Sequence, residues 1–241
     1  MTAGPALDRD LHTHTTFSDG TGELPDTVAA AVAAGLAEVG VSDHVRVGTD
    51  WLPAYTAAVR AVAAAAPLPV RCGVEAKILD TAGRIDLPPG LDGVEYVLLA
   101  DHRVPLPSGP ADPALVRAEI AAGTLTAAAV VGFLVEATVR ALAAAPRPAG
   151  LAHLFSVLPK AGLSEEDVPA DAVRALAAAC RAAGAWVELN EKWRCPSPPV
   201  VRLLHAEGVT LVAGSDAHRP DAVGRWSYAR ELAAELEPAA G

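Results

Sequence analysis

The sequence predicts an α/β fold, a seven-stranded (β/α) barrel, on three observations. Alanine-rich runs such as AVAAGLAE, AVRAVAAAA and RALAAACRAAG are strong helix formers, and they alternate with short segments of strand character. Such alternation argues for a mostly parallel sheet with helical crossovers. The strand-like segments number seven, and 241 residues is close to the ~250 that an α/β barrel commonly takes as one unit. An open doubly wound sheet is the alternative. No linker composition and no repeat divides the chain, so residues 1–241 are read as a single domain.

Along the chain, a first strand at Asp8–Leu11 leads into the polar stretch HTHTTFSDG. A helix over Leu24–Ala34 carries Pro25 in its first turn, where a missing N–H costs nothing. Strands at Glu38–Ser42 and Pro69–Val74 flank a helix over Pro53–Ala66, which opens on proline. A fourth strand covers Val94–Ala100, and the proline-rich Val104–Pro113 reads as a loop over one face. Pro113–Ala145 is helical, with a break at Gly123 or Gly132. A short strand at Gly150–Ala152, a helix over Asp171–Ala183 and a strand at Ala185–Leu189 follow. Trp193–Pro199 is a second loop, leading to a helix over Pro198–Glu207, a seventh strand at Thr210–Ala213 and a last helix over Asp221–Glu237.

Composition narrows the function. With 51% hydrophobic and 20% charged residues the chain has the apolar mass for a core and is not a disordered segment. Its formal net charge of −10 weighs against nucleic acid or anionic lipid as a partner. Divalent cations would offset that charge, three of them bringing it to about −4. Cys72, Cys180 and Cys195 are odd in number and widely spaced, so they form neither a disulfide framework nor a cysteine zinc site and are read as small buried hydrophobes. MTAGPALDRD lacks the basic-then-apolar order of a signal peptide. The alanine runs are interrupted before the ~20 residues of a membrane span. These features predict a cytoplasmic protein without a membrane partner.

The histidines carry the chemistry. Of seven in the chain, six fall at strand ends. His12 and His14 close the first strand and His44 the second. Glu75 closes the third, His102 the fourth, His153 the fifth, Glu188 the sixth, and Asp216 with His218 the seventh. In parallel α/β folds that end of the sheet carries the active site. Residues i and i+2 of a strand point the same way. His12 and His14 can therefore face one ion together, and Asp216 and His218 can do so from the opposite wall. Mixed imidazole and carboxylate donors suit zinc, manganese or iron and argue against calcium or an iron–sulfur cluster. Glu75 is placed to bridge two ions, and clustered metals clamp a phosphate.

HTHTTFSDG after a short strand, then SDH, GVE, a mid-chain strand ending in His, AH and finally GSDAH together resemble the PHP (polymerase and histidinol phosphatase) family. The likeness runs from Asp10 to about Trp226. It implies a distorted (β/α)7 barrel with up to three divalent ions (zinc, manganese or iron) at the strand ends. One ion would take His12, His14, Glu75 and Asp216; a second Glu75, His102 and His153; a third Asp19, His44 and His218. Asp19 stands where other members place a histidine or an acid. His153 precedes Leu154, where many members have proline.

The resulting expectation is a metal-dependent phosphoesterase acting on a small phosphomonoester, histidinol phosphate being one specific guess. A hydroxide held between two ions would attack phosphorus in line. His218, or His44, would donate a proton were the third site empty. Arg103, after His102, is the first choice for a contact to substrate phosphate because a guanidinium forks onto oxyanions. Lys192 and Arg194 lie on the same face, and Lys77 reaches towards the rim. Asp43 and Asp101 precede ligand histidines and should point away from the ions as supporting groups or helix caps. Glu188 and Asn190 are read as rim or supporting groups. His205 belongs to a helix and is structural. Trp51, Trp193 and Trp226 are read as packing residues, with a pocket wall as the alternative. Three rival readings remain: a nuclease or nucleotide phosphoesterase, a non-catalytic metal-binding PHP module, and an amidohydrolase-like enzyme. The last usually needs a carboxylated lysine or another histidine on the fourth strand; Ala100–His102 offers a histidine but no lysine, and the closing SDAH fits the PHP pattern better.

Overall fold

Short apolar strands that alternate with alanine-rich helices can bury both sheet faces in an open doubly wound sheet or in a barrel, and the chain takes the barrel. A computed structural model describes residues 4–146 and 148–236. In chain order the elements are β1 (Arg9–Asp10), α1 (Leu24–Ala33), β2 (Glu38–Val41), α2 (Leu52–Ala65), β3 (Val70–Lys77), β4 (Tyr96–Ala100), β5 (Val104–Leu106), β6 (Gly109–Ala111), α3 (Pro113–Ala121), α4 (Ala127–Ala144), β7 (Ala149–Ala152), α5 (Ala170–Ala183), β8 (Trp186–Asn190), α6 (Pro198–Ala206), β9 (Thr210–Gly214) and α7 (Tyr228–Leu236). Seven strands form one parallel sheet in the order β1-β2-β3-β4-β7-β8-β9. The register runs through Val39↔Val70, Glu75↔Leu98, Leu98↔Gly150, Leu151↔Val187 and Val187↔Leu211. The short β1 meets β9 through flanking bridges. Ala6 donates to Leu211 O at 2.9 Å and accepts from Ala213 N at 2.9 Å, and His14 N donates to Ala217 O at 2.8 Å. The result is a nearly closed seven-stranded barrel.

Two aromatic residues fill the barrel interior at the N-terminal ends of the strands. Tyr96 is buried, its hydroxyl donating to Leu11 O at 2.7 Å. Its ring lies so close to Gly40 and Gly73 that a Cβ at either would collide with it. The Trp186 indole sits likewise against Gly150. Small barrels are packed cores rather than pores, and these two rings fill the interior at this end.

The expected elements hold, with one alternative resolved and three corrections. The helix over Pro113–Ala145 breaks at Gly123, which takes a positive φ of 76°, a conformation glycine adopts without penalty. Thr126 then caps α4 by accepting from Ala129 N at 3.1 Å, and Gly132 stays inside that helix. The proline-rich Val104–Pro113 is not an open loop but the antiparallel hairpin β5–β6, paired Val104↔Ala111. The third strand runs past Glu75 to Lys77. The last helix starts at Tyr228 rather than Asp221, with Pro220–Ala222 a single 3-10 turn, and its expected end, Glu237, lies outside the described residues. The helix α4 is long and apolar enough to cross a membrane by composition, but Val130, Val131, Leu134, Val135 and Leu142 are buried against the rest of the fold. The three cysteines are buried and unpaired.

Candidate metal centre

At the C-terminal end of the barrel the chain turns polar residues inward, strand after strand. Thr13 bridges to Ala217 and donates its hydroxyl to Gly40 O at 2.8 Å. Its neighbours His12 and His14 therefore share the inner side, with their Nε2 atoms 3.1 Å apart. Asp19 sits on the following turn. Buried Asp43 fixes that turn by accepting from Thr15 N at 2.8 Å, Thr15 Oγ1 at 2.7 Å and Ser18 Oγ at 2.6 Å. Asp43 thus supports the loop, as its position before His44 suggested.

Glu75, buried on β3, lies at the middle. Its Oε1 is 3.1 Å from His102 Nε2 and 2.9 Å from His153 Nε2. Its Oε2 is 2.7 Å from His44 Nδ1, 3.5 Å from His12 Nε2 and 3.6 Å from His14 Nε2. From the far wall, Asp216 Oδ1 lies 3.3 Å from His14 Nε2 and 3.3 Å from His218 Nδ1. At the rim, Asp19 Oδ2 is 3.5 Å from His44 Nε2 and 3.4 Å from His218 Nε2. Four sets of donor atoms lie within 4.8 Å of one another: His14, Asp19, His44 and His218; His12, His14 and Asp216; His12, Glu75 and His153; and His44, Glu75 and His102. All nine expected residues are thus brought together. Two of them, His153 and Asp216, hold positive φ angles of 31° and 51°, a strain of about 1–3 kcal/mol each that cores retain mainly at functional sites.

A second layer holds these side chains in place. Glu188 Oε1 lies 2.8 Å from His12 Nδ1, and its Oε2 accepts from His153 N at 2.6 Å and Asn190 Nδ2 at 3.1 Å. In the neutral ring, the form that binds a cation, an Nδ1–H donated to Glu188 leaves the His12 Nε2 lone pair facing the centre. Asp101 Oδ1 lies 3.3 Å from His153 Nδ1 and accepts from Ser156 Oγ at 2.9 Å. Trp193 Nε1 donates to Asp216 Oδ2 at 2.8 Å.

The field is strongly coupled. Burial opposes charge on His12, but Glu188, Glu75 and Asp216 outweigh it and push the imidazole well above its usual range. Burial opposes charge on His153 too, but bonds to Asp101 and Glu75 raise it to about 10. His14 goes the other way: burial lowers it, Asp216 and Glu75 only partly offset that, and His12 and His44 add to it. Burial works against ionisation of Glu75 and Asp216, yet the surrounding histidines hold both well below the usual carboxylate range. The donor set fits divalent cations. His14 Nδ1 is buried with no hydrogen-bond partner, and the Nε2 atoms of His12 and His14 converge at 3.1 Å with Glu75 Oε2 3.5 and 3.6 Å away. Cations supply the missing partner for such convergent lone pairs.

The candidate substrate contacts divide. Arg103 is turned onto Asp112, the residue capping α3, so its guanidinium is engaged away from the cluster. Arg194 pairs with Glu231 at 3.0 Å and stacks on Tyr228. Lys192 does reach the centre, with Nζ 3.3 Å from Asp216 Oδ1 and 3.1 Å from His218 Nδ1. Lys77 ends β3, and His205 lies on α6. Trp226 donates to Leu7 O and packs in the core. Trp193 is not a packing residue: it is 42% exposed and bonded to Asp216. Lys160, which no sequence motif marks, lies over the Trp193 ring at 4.1 Å.

The PHP domain model of known protein families matches residues 10–191 of the chain. No curated protein sequence matches it. Among solved structures, histidinol phosphate phosphatase from Lactococcus lactis, complexed with zinc, L-histidinol and phosphate, superposes with a TM-score of 0.64 at 15% identity, covering 94% of this chain and 92% of that one. A candidate histidinol phosphatase from Listeria monocytogenes superposes with a TM-score of 0.67 at 18% identity, covering 90% and 97%. At these identities the likeness is one of fold.

Proposed function

The chain belongs to the PHP family, and from that premise we propose that it is a metal-dependent phosphoesterase acting on a small phosphomonoester. The observation that carries this reading is Glu75. Its two oxygens face separate groups of histidines, His102 and His153 on one side and His12, His14 and His44 on the other. A carboxylate so placed is suited to join two ions. His12, His14, Glu75 and Asp216 would hold the first ion, Glu75, His102 and His153 the second, and Asp19, His44 and His218 the third. When bound, such ions neutralise charge on a phosphoryl group and lower the pKa of water towards neutrality.

The chain's own residues do the rest. Glu188 and Asp101 orient His12 and His153, while Trp193 fixes Asp216. Lys192, flexible and cationic beside Asp216 and His218, is the side chain placed to receive a phosphoryl oxygen. With two ions bound instead of three, His218 and His44 stand at the rim to give a proton to the departing oxygen. The Lactococcus structure with histidinol and phosphate makes histidinol phosphate one compound to assay. The net charge of −10 favours small substrates over nucleic acid.

The protein with added manganese or zinc should hydrolyse p-nitrophenyl phosphate, and His12→Ala or Asp216→Ala should abolish turnover. Activity that survives both substitutions would overturn the assignment. A panel of phosphorylated metabolites against short oligonucleotides separates a metabolite phosphatase from a nuclease.

A further inference from the structure

Beside Asp19 and His44 the barrel mouth opens into a cavity of about 350 Å³, whose walls include Phe17, Arg46, Asp50 and Trp51. That volume suits a small organic group. Its aromatic wall is anchored. Phe17 and Trp51 lie 5.7 Å apart, centroid to centroid, and both pack edge-on to Tyr55 at 5.2 and 5.5 Å. The buried Tyr55 hydroxyl shares its proton between Val41 O at 2.9 Å and Gly73 O at 2.8 Å, tying the wall to β2 and β3. The turn carrying Arg46 is pinned as well. Thr49 N donates to Arg46 O at 2.9 Å, Arg46 N to Thr49 Oγ1 at 2.9 Å, and Val47 N to Asp86 Oδ1 at 2.8 Å.

On this anchored backbone, at the exposed mouth of the cavity, stand two opposite charges, Arg46 and Asp50. Among the described residues, neither the Arg46 guanidinium nor the Asp50 carboxylate makes a hydrogen bond or an ion pair, and they do not pair with each other. Arg9, Arg71, Arg84, Arg140, Arg174 and Arg202 find carboxylates, so what sets Arg46 and Asp50 apart is their shared place on the wall of a cavity beside the metal cluster. An aromatic-walled cavity with a cation and an anion at its mouth is complementary to a ligand that carries both charges.

We propose that this cavity receives the leaving alcohol of the substrate, and that the alcohol is an amino acid: Arg46 takes its carboxylate and Asp50 its ammonium. The substrate class is then an amino-acid O-phosphate. The inference rests on the phosphoesterase reading above, because the cavity shares Asp19 and His44 with the metal cluster and so adjoins any phosphoryl group held there. In the reaction the oxygen of water forms the new P–O bond, the ester P–O bond breaks, and the alcohol oxygen takes a proton. The amino acid leaves with both charges intact. A leaving group with an ammonium alone faces an unmatched arginine, and one with a carboxylate alone faces an unmatched aspartate.

The manganese-loaded protein is assayed with O-phospho-L-serine, phosphoethanolamine, 2-phosphoglycolate, glycerol phosphate and histidinol phosphate. O-phospho-L-serine should show the highest kcat/KM. Arg46→Ala should lower the phosphoserine-to-phosphoethanolamine ratio, and Asp50→Asn the phosphoserine-to-phosphoglycolate ratio, each about tenfold or more, as expected for a charged hydrogen bond. Calorimetry should show L-serine binding to the parent protein and its loss in either variant. A preference for glycerol phosphate or histidinol phosphate, or ratios that neither substitution moves, overturns the proposal. Failure of the parent protein to hydrolyse p-nitrophenyl phosphate with any metal sinks the phosphoesterase reading instead, while L-serine binding still tests the pocket.

Discussion

Glu188 illustrates how single residues build this centre. It touches His12, the His153 backbone and Asn190 at once, and its carboxylate fills the space that a Cβ on Gly214 would need. Glu188→Gln keeps the shape but weakens the acceptor that fixes the His12 tautomer, so metal affinity should fall about 10–100-fold, read by metal titration with the fold monitored by circular dichroism. Substrate contacts can be ranked in the same way. Lys192→Ala should cost about tenfold or more in kcat/KM for p-nitrophenyl phosphate, whereas Arg103→Ala, whose side chain is bound to Asp112, should change it by less than about threefold. Equal losses would return Arg103 to the phosphate. At this scale the sequence speaks where chemistry repeats with strand spacing, as in the His12/His14 and Asp216/His218 pairs. It is silent where a side chain is chosen by a distant neighbour. Nothing local marks Trp193 as the partner of Asp216, or Arg103 as the partner of a helix cap nine residues on.

Secondary-structure elements were legible from alternation and proline placement, but their boundaries depended on contacts that sequence windows do not contain. The helix α7 shows why. Asp221 looks like a helix start, yet the helix begins at Tyr228 because Glu191, from the loop after β8, accepts from the backbone N–H groups of Ser227, Tyr228 and Ala229 at 2.9, 3.0 and 3.2 Å. This is an N-terminal cap supplied from another part of the chain. Glu191→Ala should destabilise the protein by about 1–2 kcal/mol in urea unfolding at neutral pH. Burial opposes the charge on Glu191, but the hydrogen bonds from Ser227, Tyr228 and Ala229 hold its carboxyl below the usual 4.5. A depressed folded pKa means that the unfolded chain binds the extra proton. The contribution is therefore present above about pH 4.5 and is lost as pH falls through and below it. The stability gap between parent and variant should narrow on acidification, and a gap that widens would refute the cap.

For the molecule as a whole, parallel strands capped by polar residues predicted the barrel, but not how loosely it closes. The strand β1 has only two residues, and the seam with β9 is made by bridges at Ala6 and Thr13. Around the mouth, the candidate ligands come from β3 and from the segments following β1, β2, β4, β7 and β9, so bound ions would tie six of the seven strands together, seam included. Cross-links that exist only in the folded state stabilise it by mass action, about 2.7 kcal/mol for a ligand at a hundredfold excess over its Kd. For a chain of this size each kcal/mol is worth about 2–4 °C. Manganese or zinc added to chelator-treated protein should therefore raise Tm by about 5–11 °C. The rise should shrink near pH 5, where binding must displace more protons from the imidazoles of the metal-free folded protein. Asp216→Ala, which removes the donor nearest the β9 seam, should remove much of the shift, while Arg103→Ala should leave it intact. A Tm indifferent to metal in the parent protein would mean that the convergent histidines and carboxylates at the barrel mouth bind no ion strongly enough to matter to the fold.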